Sequence, residues 1–352
     1  MERLQPLTSL RFFFALAVFG HHCFFITEGD YGPGPWLYAN FLAEGYLGVT
    51  FFFILSGFIL THAYADRLGA GRISRGRFYL GRWGRIYPLH LLALLVVLPL
   101  SLGQLTAEGG WLRAAAHLTL TQTYWLDPDI YRGFNMPAWS ISVELVFYAL
   151  FPFLLTALDA AFRRFGNGAF AVAAVVMLVP VVMAFTPESL HHALFYVHPV
   201  PRLAEFLLGM LLYRLFVLWR GRGCRGRTLW EAGAVGCLLL WVVGYPLVPD
   251  VYRYSVYYWP PMLVVIGVFA LRGGKLSHWL SHPRWVYLGE ISFAFYLLHR
   301  PIMGYYEAFK TKVWAFDNYY VDVLALLCAT LVASHLCYRY FERPVYRWIR
   351  SL

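Results

Sequence analysis

The chain has 352 residues, of which 60% are hydrophobic and only 14% are charged, and its mean hydropathy is +0.55. Soluble domains are about half apolar and about one-quarter charged, so this composition excludes an ordinary soluble protein. It predicts an all-α, polytopic membrane protein that forms a single domain over residues 1–352.

Ten apolar runs are long enough to span a bilayer. They cover residues 8–27, 41–64, 83–102, 138–158, 168–186, 202–219, 229–248, 255–271, 287–306 and 319–341. We therefore expect about ten transmembrane helices, with both termini on the cytoplasmic side. The first run lacks an obvious small-residue cleavage site, so it is predicted to be retained as a span rather than removed as a signal peptide.

The basic residues are distributed unevenly between the two sides of this arrangement. Of the 29 Lys and Arg residues, 22 fall on the inner side, in segments 3–11, 67–85, 163–164, 214–227, 272–284 and 339–350. Such a bias sets the orientation of a membrane protein. The net charge of +10 is thus explained by topology and by contact with membrane lipids, and no nucleic-acid partner is expected.

The five cysteines are odd in number and lie mostly inside apolar runs, at Cys23, Cys224, Cys237, Cys328 and Cys337. This pattern favours small core residues over a disulfide framework, and we expect no metal ion.

The first span carries two polar residues, Arg11 and His22. Eleven residues of α-helix place both side chains on one face, about 16 Å apart along the axis. Charged and ionisable groups inside a span are costly unless a partner or a function offsets them. Arg11 alone could instead reach lipid phosphates, and His22 could be a satisfied packing residue.

Two more arginines, Arg82 and Arg85, are three residues apart at the inner end of the third span. They project on the same side of a helix, and forked guanidinium groups are suited to bind phosphates. Contact with lipid headgroups is the alternative for either residue. With Arg11 at the same level, the pattern favours a phosphate site that faces the cytosol.

The fourth span contains a carboxylate, Glu144, with Ser140 one turn above it and Tyr148 one turn below. By helical rise Glu144 lies about 7 Å deeper than Trp139, which suits an outer interface. An intramembrane carboxylate is expected to have a partner. We predict that Glu144 pairs with His22 in the outer third of the membrane.

Four further residues are candidate substrate-pocket residues. Arg202 and Glu205 are three apart at the outer entrance of the sixth span, where a local ion pair is the simpler interpretation. Within the ninth span, His299 lies toward the outer side. For His299 and for Ser142, which precedes Glu144 by two residues, packing is the simpler explanation.

These groups permit one kind of chemistry. The sequence has no G-x-S-x-G elbow, metal-ligand spacing or dinucleotide fingerprint. An imidazole held beside a carboxylate can act as a general base on an alcohol that attacks a thioester. A phosphate site inside and a base toward the outside suggest a long donor threaded through one continuous buried passage, and coenzyme A has that shape.

The chain also resembles the acyltransferase-3 family of integral-membrane O-acyltransferases. Seven segments in order carry the resemblance: the R-x10-H spacing of Arg11 and His22, G-V-T-F-F-F-I-L-S-G-F at 48–58, R-W-G-R-I-Y-P at 82–88, W-S-I-S-V-E at 139–144, R-L-A-E-F-L-L-G-M at 202–210, L-G-E-I-S-F-A-F-Y-L-L-H at 288–299 and Y-R-Y-F-E-R-P-V at 338–345. The resemblance implies an acyl-CoA donor, usually acetyl-CoA, and transfer to a hydroxyl of an extracytoplasmic glycan. It also implies roles for Arg11 and His22, and donor binding by Arg82 and Arg85.

Two departures from the family pattern limit what carries over. Many members have an aspartate where this chain has Thr50, so no carboxylate role transfers to the second span. No soluble hydrolase-like domain follows the spans, so acceptor handling is expected from outer loops 28–40, 103–137 and 187–201. The lack of that domain, the compact length and the motif version F-F-F-I-L-S-G-F-I-L-T-H-A-Y resemble members that modify exopolysaccharide or its lipid-linked repeat unit.

The sequence therefore predicts an O-acetyltransferase of the bacterial inner membrane. In this hypothesis Arg11, Arg82 and Arg85 hold the phosphates of the donor, and Glu144 orients His22. His22 either deprotonates the sugar hydroxyl or transiently carries the acyl group. The main alternative is a transporter or flippase of a glycan or a lipid-linked intermediate, in which the same ions form a substrate or proton path. A membrane scaffold for polysaccharide assembly is a third.

Overall fold

A computed structural model describes residues 3–27, 32–165, 169–221, 226–313 and 318–351. Arg222, Cys224, Arg225 and residues 28–31 of the first outer loop lie outside this part. We label eleven of the helices: α1 Gln5–His21, α2 Leu47–Gly69, α3 Arg75–Val97, α4 Trp139–Phe165, α5 Ala169–Phe185, α6 Pro199–Trp219, α7 Arg227–Gly244, α8 Trp259–Leu271, α9 Pro283–Val313, α10 Tyr319–Cys337 and α11 Arg343–Ser351.

Short helical segments connect these eleven. Short α-helices are Gly34–Leu37, Leu102–Thr106, Gly110–Leu118, Pro128–Tyr131, Asp250–Arg253 and Lys275–Leu280. Single turns of 3₁₀ helix are Phe24–Thr27, Ala43–Tyr46, Leu98–Ser101, Gln122–Tyr124, Met136–Ala138, Glu188–Leu190, Tyr245–Leu247 and Val256–Tyr258. Wider π turns are Tyr38–Leu42, His192–Val197 and Tyr338–Glu342.

The all-α membrane class is confirmed, since no strand occurs in the described part of the chain. Each predicted span overlaps one of the helices α1 to α10. Within the described ranges, five helical segments are long and apolar enough to cross a bilayer: Gly34–Gly69, Arg75–Thr106, Met136–Arg164, Arg227–Leu247 and Tyr319–Ser351. Two shorter apolar helices, Ala173–Phe185 and Val256–Leu271, accompany them.

Helix α2 is held against α6 by a close approach of their backbones. Gly57 faces the carbonyl oxygen of Phe206, and Gly209 faces the carbonyl oxygen of Ile54. A Cβ atom at either glycine would overlap that oxygen, so only glycine allows the two helices to pack at this distance.

Helix α1 lies between α2 and α9. Phe14 stacks on Phe51 of α2 with ring centroids 3.8 Å apart, and Phe12 packs edge-on against Phe295 of α9 at 5.7 Å. These contacts fix one face of α1 toward α2 and α9. The polar residue of α1 near its inner end, Arg11, projects into the space that these helices enclose with α3 and α4.

The C-terminal helix α11 covers the inner end of α3. Its Ile349 is buried against Gly84, whereas its Trp348 is exposed, which gives the helix an apolar and a polar side. The π turn before α11 brings the buried side chain of Glu342 to Arg85. The end of the chain therefore supplies a carboxylate to the arginine-rich end of α3.

Candidate active site

A cavity of about 160 Å³ lies among α1, α2, α3, α4 and α9. Polar groups from all five helices face it, and its lining includes Arg11, Ser56, Arg82, Arg85, Ser140, Glu144, Tyr148, Ser292 and Tyr296. The structure therefore brings together the three arginines and the carboxylate that the sequence singles out, although they come from three different helices.

The three arginines are held to different degrees. Arg82 donates a hydrogen bond from Nη2 to the hydroxyl of Tyr64 at 3.1 Å and lies over the ring of Tyr148 at 5.8 Å. Arg85 forms an ion pair with Glu342. The guanidinium of Arg11 has no hydrogen bond or ion pair with any other described residue, yet it lies within electrostatic range of Arg85 and Glu144. Donors therefore remain free to bind an anion.

The electrostatics of the cavity favour an anion as well. Its lining has three guanidinium groups and only one carboxylate, Glu144. Each guanidinium presents five N–H donors in a planar fork that matches phosphate oxygens. Because these charges are partly shielded from water, their attraction for a phosphate is stronger than it would be at an exposed surface. The arrangement can bind a phosphate or diphosphate group.

Glu144 does not pair with His22, so that prediction is wrong. Its Oε1 accepts hydrogen bonds from the hydroxyl of Tyr148 at 2.6 Å and from that of Ser56 at 3.1 Å. The prediction takes Trp139 as an interfacial residue, but Trp139 is buried, with its ring 4.6 Å from that of Tyr196. Glu144 instead lies beside Ser56 and lines the same cavity as Arg11.

The partner of His22 is instead His299 of α9. Nδ1 of His22 and Nε2 of His299 are 2.9 Å apart, and Nδ1 of His299 is 2.6 Å from the carbonyl oxygen of Tyr296. A carbonyl oxygen only accepts, so Nδ1 of His299 carries a proton and its Nε2, in the neutral ring, accepts. Nδ1 of His22 must then donate. This fixes the neutral tautomer of His22 with its lone pair on Nε2.

The position of His22 also differs from the predicted one. Helix α1 ends at His21, and His22 caps it before the turn Phe24–Thr27. The side chain is only partly buried, whereas His299 is fully buried. His22 therefore lies at the C-terminal end of α1 with a partly accessible side chain.

The predicted continuous passage from the arginines to His22 is closed in this conformation. The lining of the arginine cavity does not include His22, and it ends near Tyr296. The hydroxyl of Tyr296 is 2.9 Å from that of Ser140, and its ring centroid is 6.0 Å from that of His299. The side chain of Tyr296 thus stands between the arginine cavity and the histidine pair.

The candidate pocket residues Arg202 and Glu205 form a buried ion pair outside the cavity lining. Nη1 of Arg202 is 2.6 Å from Oε1 of Glu205, and both side chains are fully buried. The guanidinium lies over the ring of Phe53 at 5.2 Å, while Thr50 donates to Glu205 at 3.1 Å. The simpler interpretation, a local ion pair, describes this geometry.

Ser142 likewise lies outside the cavity. Its hydroxyl is 2.6 Å from that of Thr123 and donates to the carbonyl oxygen of Leu120 at 2.5 Å. Both partners belong to the segment between α3 and α4. Ser142 therefore attaches this outer segment to α4, as the packing interpretation holds.

Two residues that contribute to the site are not predicted from the sequence. Tyr64 and Glu342, which hold Arg82 and Arg85, are far from these arginines in sequence. Glu342 lies inside the segment Y-R-Y-F-E-R-P-V, and its carboxylate between two arginines is the available signal. Nothing in the spacing of Tyr64 indicates its contact with Arg82.

Comparison with known proteins shows which family this chain belongs to. The model of the acyltransferase-3 family, described as an acyltransferase domain, matches residues 7–339. The chain is a member of the acyltransferase-3 family. The matched range contains the three arginines, Glu144 and both histidines. The protein is accordingly an acyl-transferring enzyme, which disfavours the transporter and scaffold alternatives.

Curated relatives agree with this membership. The chain is 32% identical to the acyltransferase MdmB of Streptomyces mycarofaciens, over 98% of the chain and 92% of that protein. It is 23% identical to a Staphylococcus aureus (strain COL) protein assigned by name to O-acetyl transfer, SACOL0978, over 87% of the chain and 53% of that protein. No solved structure matches the chain.

Proposed function

We propose that this family member transfers an acyl group, most simply acetyl, from cytosolic acyl-CoA to a hydroxyl of an extracytoplasmic glycan. Exopolysaccharide or its lipid-linked repeat unit is the acceptor class, and the bacterial inner membrane is the location. The observation that carries the proposal is the placement of three arginines and one oriented imidazole near opposite ends of α1. Eleven residues, about 16 Å of helix, separate Arg11 from His22.

The topology required by this proposal is the one predicted from the charge distribution. Ten spans with cytosolic termini place the arginine cavity toward the cytosol and His22 toward the outside. The excess of Lys and Arg in the inner segments supports that orientation. A donor made in the cytosol and an acceptor outside can then meet within one chain.

The arginine cavity is the proposed site for the donor phosphates. Arg11 provides a guanidinium without another partner, and Arg82 and Arg85 are held in place by Tyr64 and Glu342. A cavity of about 160 Å³ is too small for a whole coenzyme A molecule. We therefore place in it only the diphosphate region, from which the pantetheine arm extends toward the outer end of α1.

The transfer itself needs one base that also returns a proton. Nε2 of His22 takes the proton of the acceptor hydroxyl while the hydroxyl oxygen attacks the thioester carbonyl. The carbon–sulfur bond of the tetrahedral intermediate then breaks, and the leaving sulfur takes the proton from His22. Throughout the reaction, Nδ1 of His22 donates its hydrogen bond to His299. Nε2 of His22 therefore faces away from His299 and is available to take up the proton.

Access between the two parts requires a movement of Tyr296. Its side chain separates the arginine cavity from the histidine pair, and its hydroxyl is attached to Ser140 of α4. Rotation of this side chain opens the way for the pantetheine arm. The hydrogen bond that orients His299 involves the backbone of Tyr296 and is unaffected by such a rotation.

The acceptor class rests on two further observations. The Staphylococcus aureus relative is named for O-acetyl transfer. In addition, aromatic side chains are exposed on the outer segments, with Trp36 at 60% and Trp111 at 76% exposure. Such side chains combine an apolar face with a polar group, which suits the faces of sugar rings as well as the membrane interface.

The decisive experiment measures coenzyme A release by purified protein from acetyl-CoA in the presence of glycan acceptors. Wild type should release coenzyme A together with ester formation, and His22→Ala should lower the rate by about 10²-fold or more. His278→Gln is the matched control, because His278 is exposed and lies outside the lining of the arginine cavity and outside the loops expected to handle the acceptor. Full activity of His22→Ala would exclude His22 as the base.

A further inference from the structure

We propose that a second cavity, at the inner end of α1, binds the 3′-phosphoadenosine part of coenzyme A. This inference rests on the proposed function, because it names the remaining subsite of the same donor. The cavity has a volume of about 300 Å³. We call it the vestibule, and it is lined by Arg3, Leu4, Gln5, Thr8, Ile59, His62, Val286 and Glu290.

The vestibule is the inward continuation of the arginine cavity. Ile59 of α2 lines both spaces. On α1, Thr8 of the vestibule is one turn before Arg11 of the arginine cavity, and on α9, Glu290 of the vestibule is one turn before Phe293. The same three helices therefore enclose both spaces, one turn apart.

The length of the donor determines which part of it occupies the vestibule. If the diphosphate lies at Arg11 and the thioester must reach His22, the pantetheine arm runs along α1 toward its C-terminal end. The nucleotide, on the other side of the diphosphate, must then extend toward the N-terminal end of α1. Among the cavities of the described residues, the vestibule shares lining with the arginine cavity and lies in that direction.

The polar groups of the vestibule suit a phosphorylated nucleoside. The side chain of Arg3 is 80% exposed, and its Nη1 is 3.6 Å from Oε1 of Glu290. An exposed pair at this distance contributes little to stability, so Arg3 can exchange Glu290 for a phosphate at small cost. Glu290 keeps the hydrogen bond that it accepts from Tyr338 at 3.0 Å.

The remaining walls suit the base. Leu4, Ile59 and Val286 give the vestibule apolar sides against which a purine ring can pack. Once Arg3 has moved to the phosphate, the free oxygen of Glu290 can accept a hydrogen bond from the exocyclic amine of adenine. The vestibule thus offers a cation for the 3′-phosphate, an acceptor for the amine and apolar contact for the ring.

Equilibrium binding of coenzyme A and of 3′-dephospho-coenzyme A to the full-length protein tests the proposal without any acyl transfer. Wild type should bind coenzyme A about tenfold more tightly than 3′-dephospho-coenzyme A. A tenfold difference corresponds to about 1.4 kcal/mol, which is the size expected for one exposed, charge-assisted contact to the 3′-phosphate. Arg3→Ala should weaken coenzyme A binding by about tenfold and leave dephospho-coenzyme A unchanged. Arg77→Ala, an exposed inner arginine outside both linings, should keep the wild-type preference.

The outcomes separate this inference from the proposed function. Binding of coenzyme A without any preference for its 3′-phosphate overturns the vestibule and leaves the donor assignment intact. An equal loss for both ligands in Arg3→Ala also overturns the vestibule. Absence of coenzyme A binding to wild type overturns the donor assignment and the vestibule with it.

Discussion

The hydrogen bond between His22 and His299 determines which ring nitrogen of His22 carries the proton. A catalytic imidazole usually has its tautomer fixed by a carboxylate or a backbone carbonyl on its second nitrogen. Here a second imidazole does so, and that imidazole is in turn fixed by the carbonyl oxygen of Tyr296. In the proposed mechanism, His299 is therefore a positioning residue, since it acts on the reaction through its hydrogen bond to His22.

Replacement of His299 should lower turnover without weakening donor binding. We expect His299→Ala to reduce kcat by about 10²-fold, because His22 then loses its fixed tautomer. In His299→Gln, the side-chain carbonyl can accept from His22 and the amide can donate to Tyr296, so much of the rate should return. Steady-state kinetics would measure kcat and the KM for acetyl-CoA separately. A rise in KM with unchanged kcat would contradict the positioning role.

Replacement of a cavity arginine by lysine, which keeps the charge but changes the shape of the cationic group, should weaken donor binding. Arg82→Lys keeps a positive charge but loses the planar fork and the hydrogen bond to Tyr64. We expect the KM for acetyl-CoA to rise about tenfold, as for the loss of one charge-assisted contact. Arg75→Lys, at the exposed start of α3 and outside the cavity lining, is the matched control. Equal kinetics for the two variants would remove Arg82 from the donor site.

At the scale of helices, the sequence predicts which segments form but not how deep each one lies. Hydrophobic runs locate α1 to α10 because burial in lipid or protein needs an apolar stretch of fixed length. The ends are set by contacts that no local pattern reveals. Trp139 resembles an interfacial residue but packs on Tyr196, so it does not mark the depth of Glu144. The hydrogen bond between His22 and His299 joins positions 277 residues apart, and no local pattern predicts it.

The contact between α2 and α6 should be intolerant of any added side chain. Gly57→Val would place methyl groups where the backbone of α6 passes, and overpacking of this kind typically costs about 1–3 kcal/mol. We expect a lower Tm of the purified protein. At Gly233 of α7 a Cβ atom meets no neighbouring atom, so Gly233→Val should leave the Tm nearly unchanged. Equal shifts of Tm in both variants would refute the close contact.

The segment between α3 and α4 should loosen in acid. His117 lies there, outside the apolar segments Arg75–Thr106 and Met136–Arg164, and its Nε2 donates to the carbonyl oxygen of Ile130 at 2.8 Å. Burial lowers the pKa of His117 from 6.5 to about 4. The unfolded segment therefore binds a proton more readily, and stability falls as the pH drops from about 6.5 to about 4, by up to about 3 kcal/mol.

Hydrogen exchange of residues 107–135 across this pH range would measure the effect. We expect His117→Gln, which keeps a donor for Ile130 but does not titrate, to have a flatter pH dependence than wild type. His278→Gln changes an exposed histidine on the inner side and should behave as wild type. An identical acid response in His117→Gln would assign the loosening to other groups.

At the scale of the whole molecule, the groups proposed to bind the donor phosphates and the pair of histidines lie at different positions along α1. The three arginines proposed to bind the donor phosphates line one cavity from α1 and α3, and Glu342, from the turn before α11, pairs with one of them. The histidine pair forms where α1 ends beside α9, on the outer side of Tyr296. In the proposed mechanism, the side chain of Tyr296 separates the donor phosphates from the acceptor until it moves.

The central claim is that the donor's phosphates lie on the arginines of this cavity. An experimental structure of the protein with coenzyme A bound tests it most directly. The account predicts diphosphate oxygens in contact with Arg11, Arg82 and Arg85, and the pantetheine sulfur directed past Tyr296 toward His22. Coenzyme A bound at another surface, with these guanidinium groups making no contact to phosphate, would contradict it.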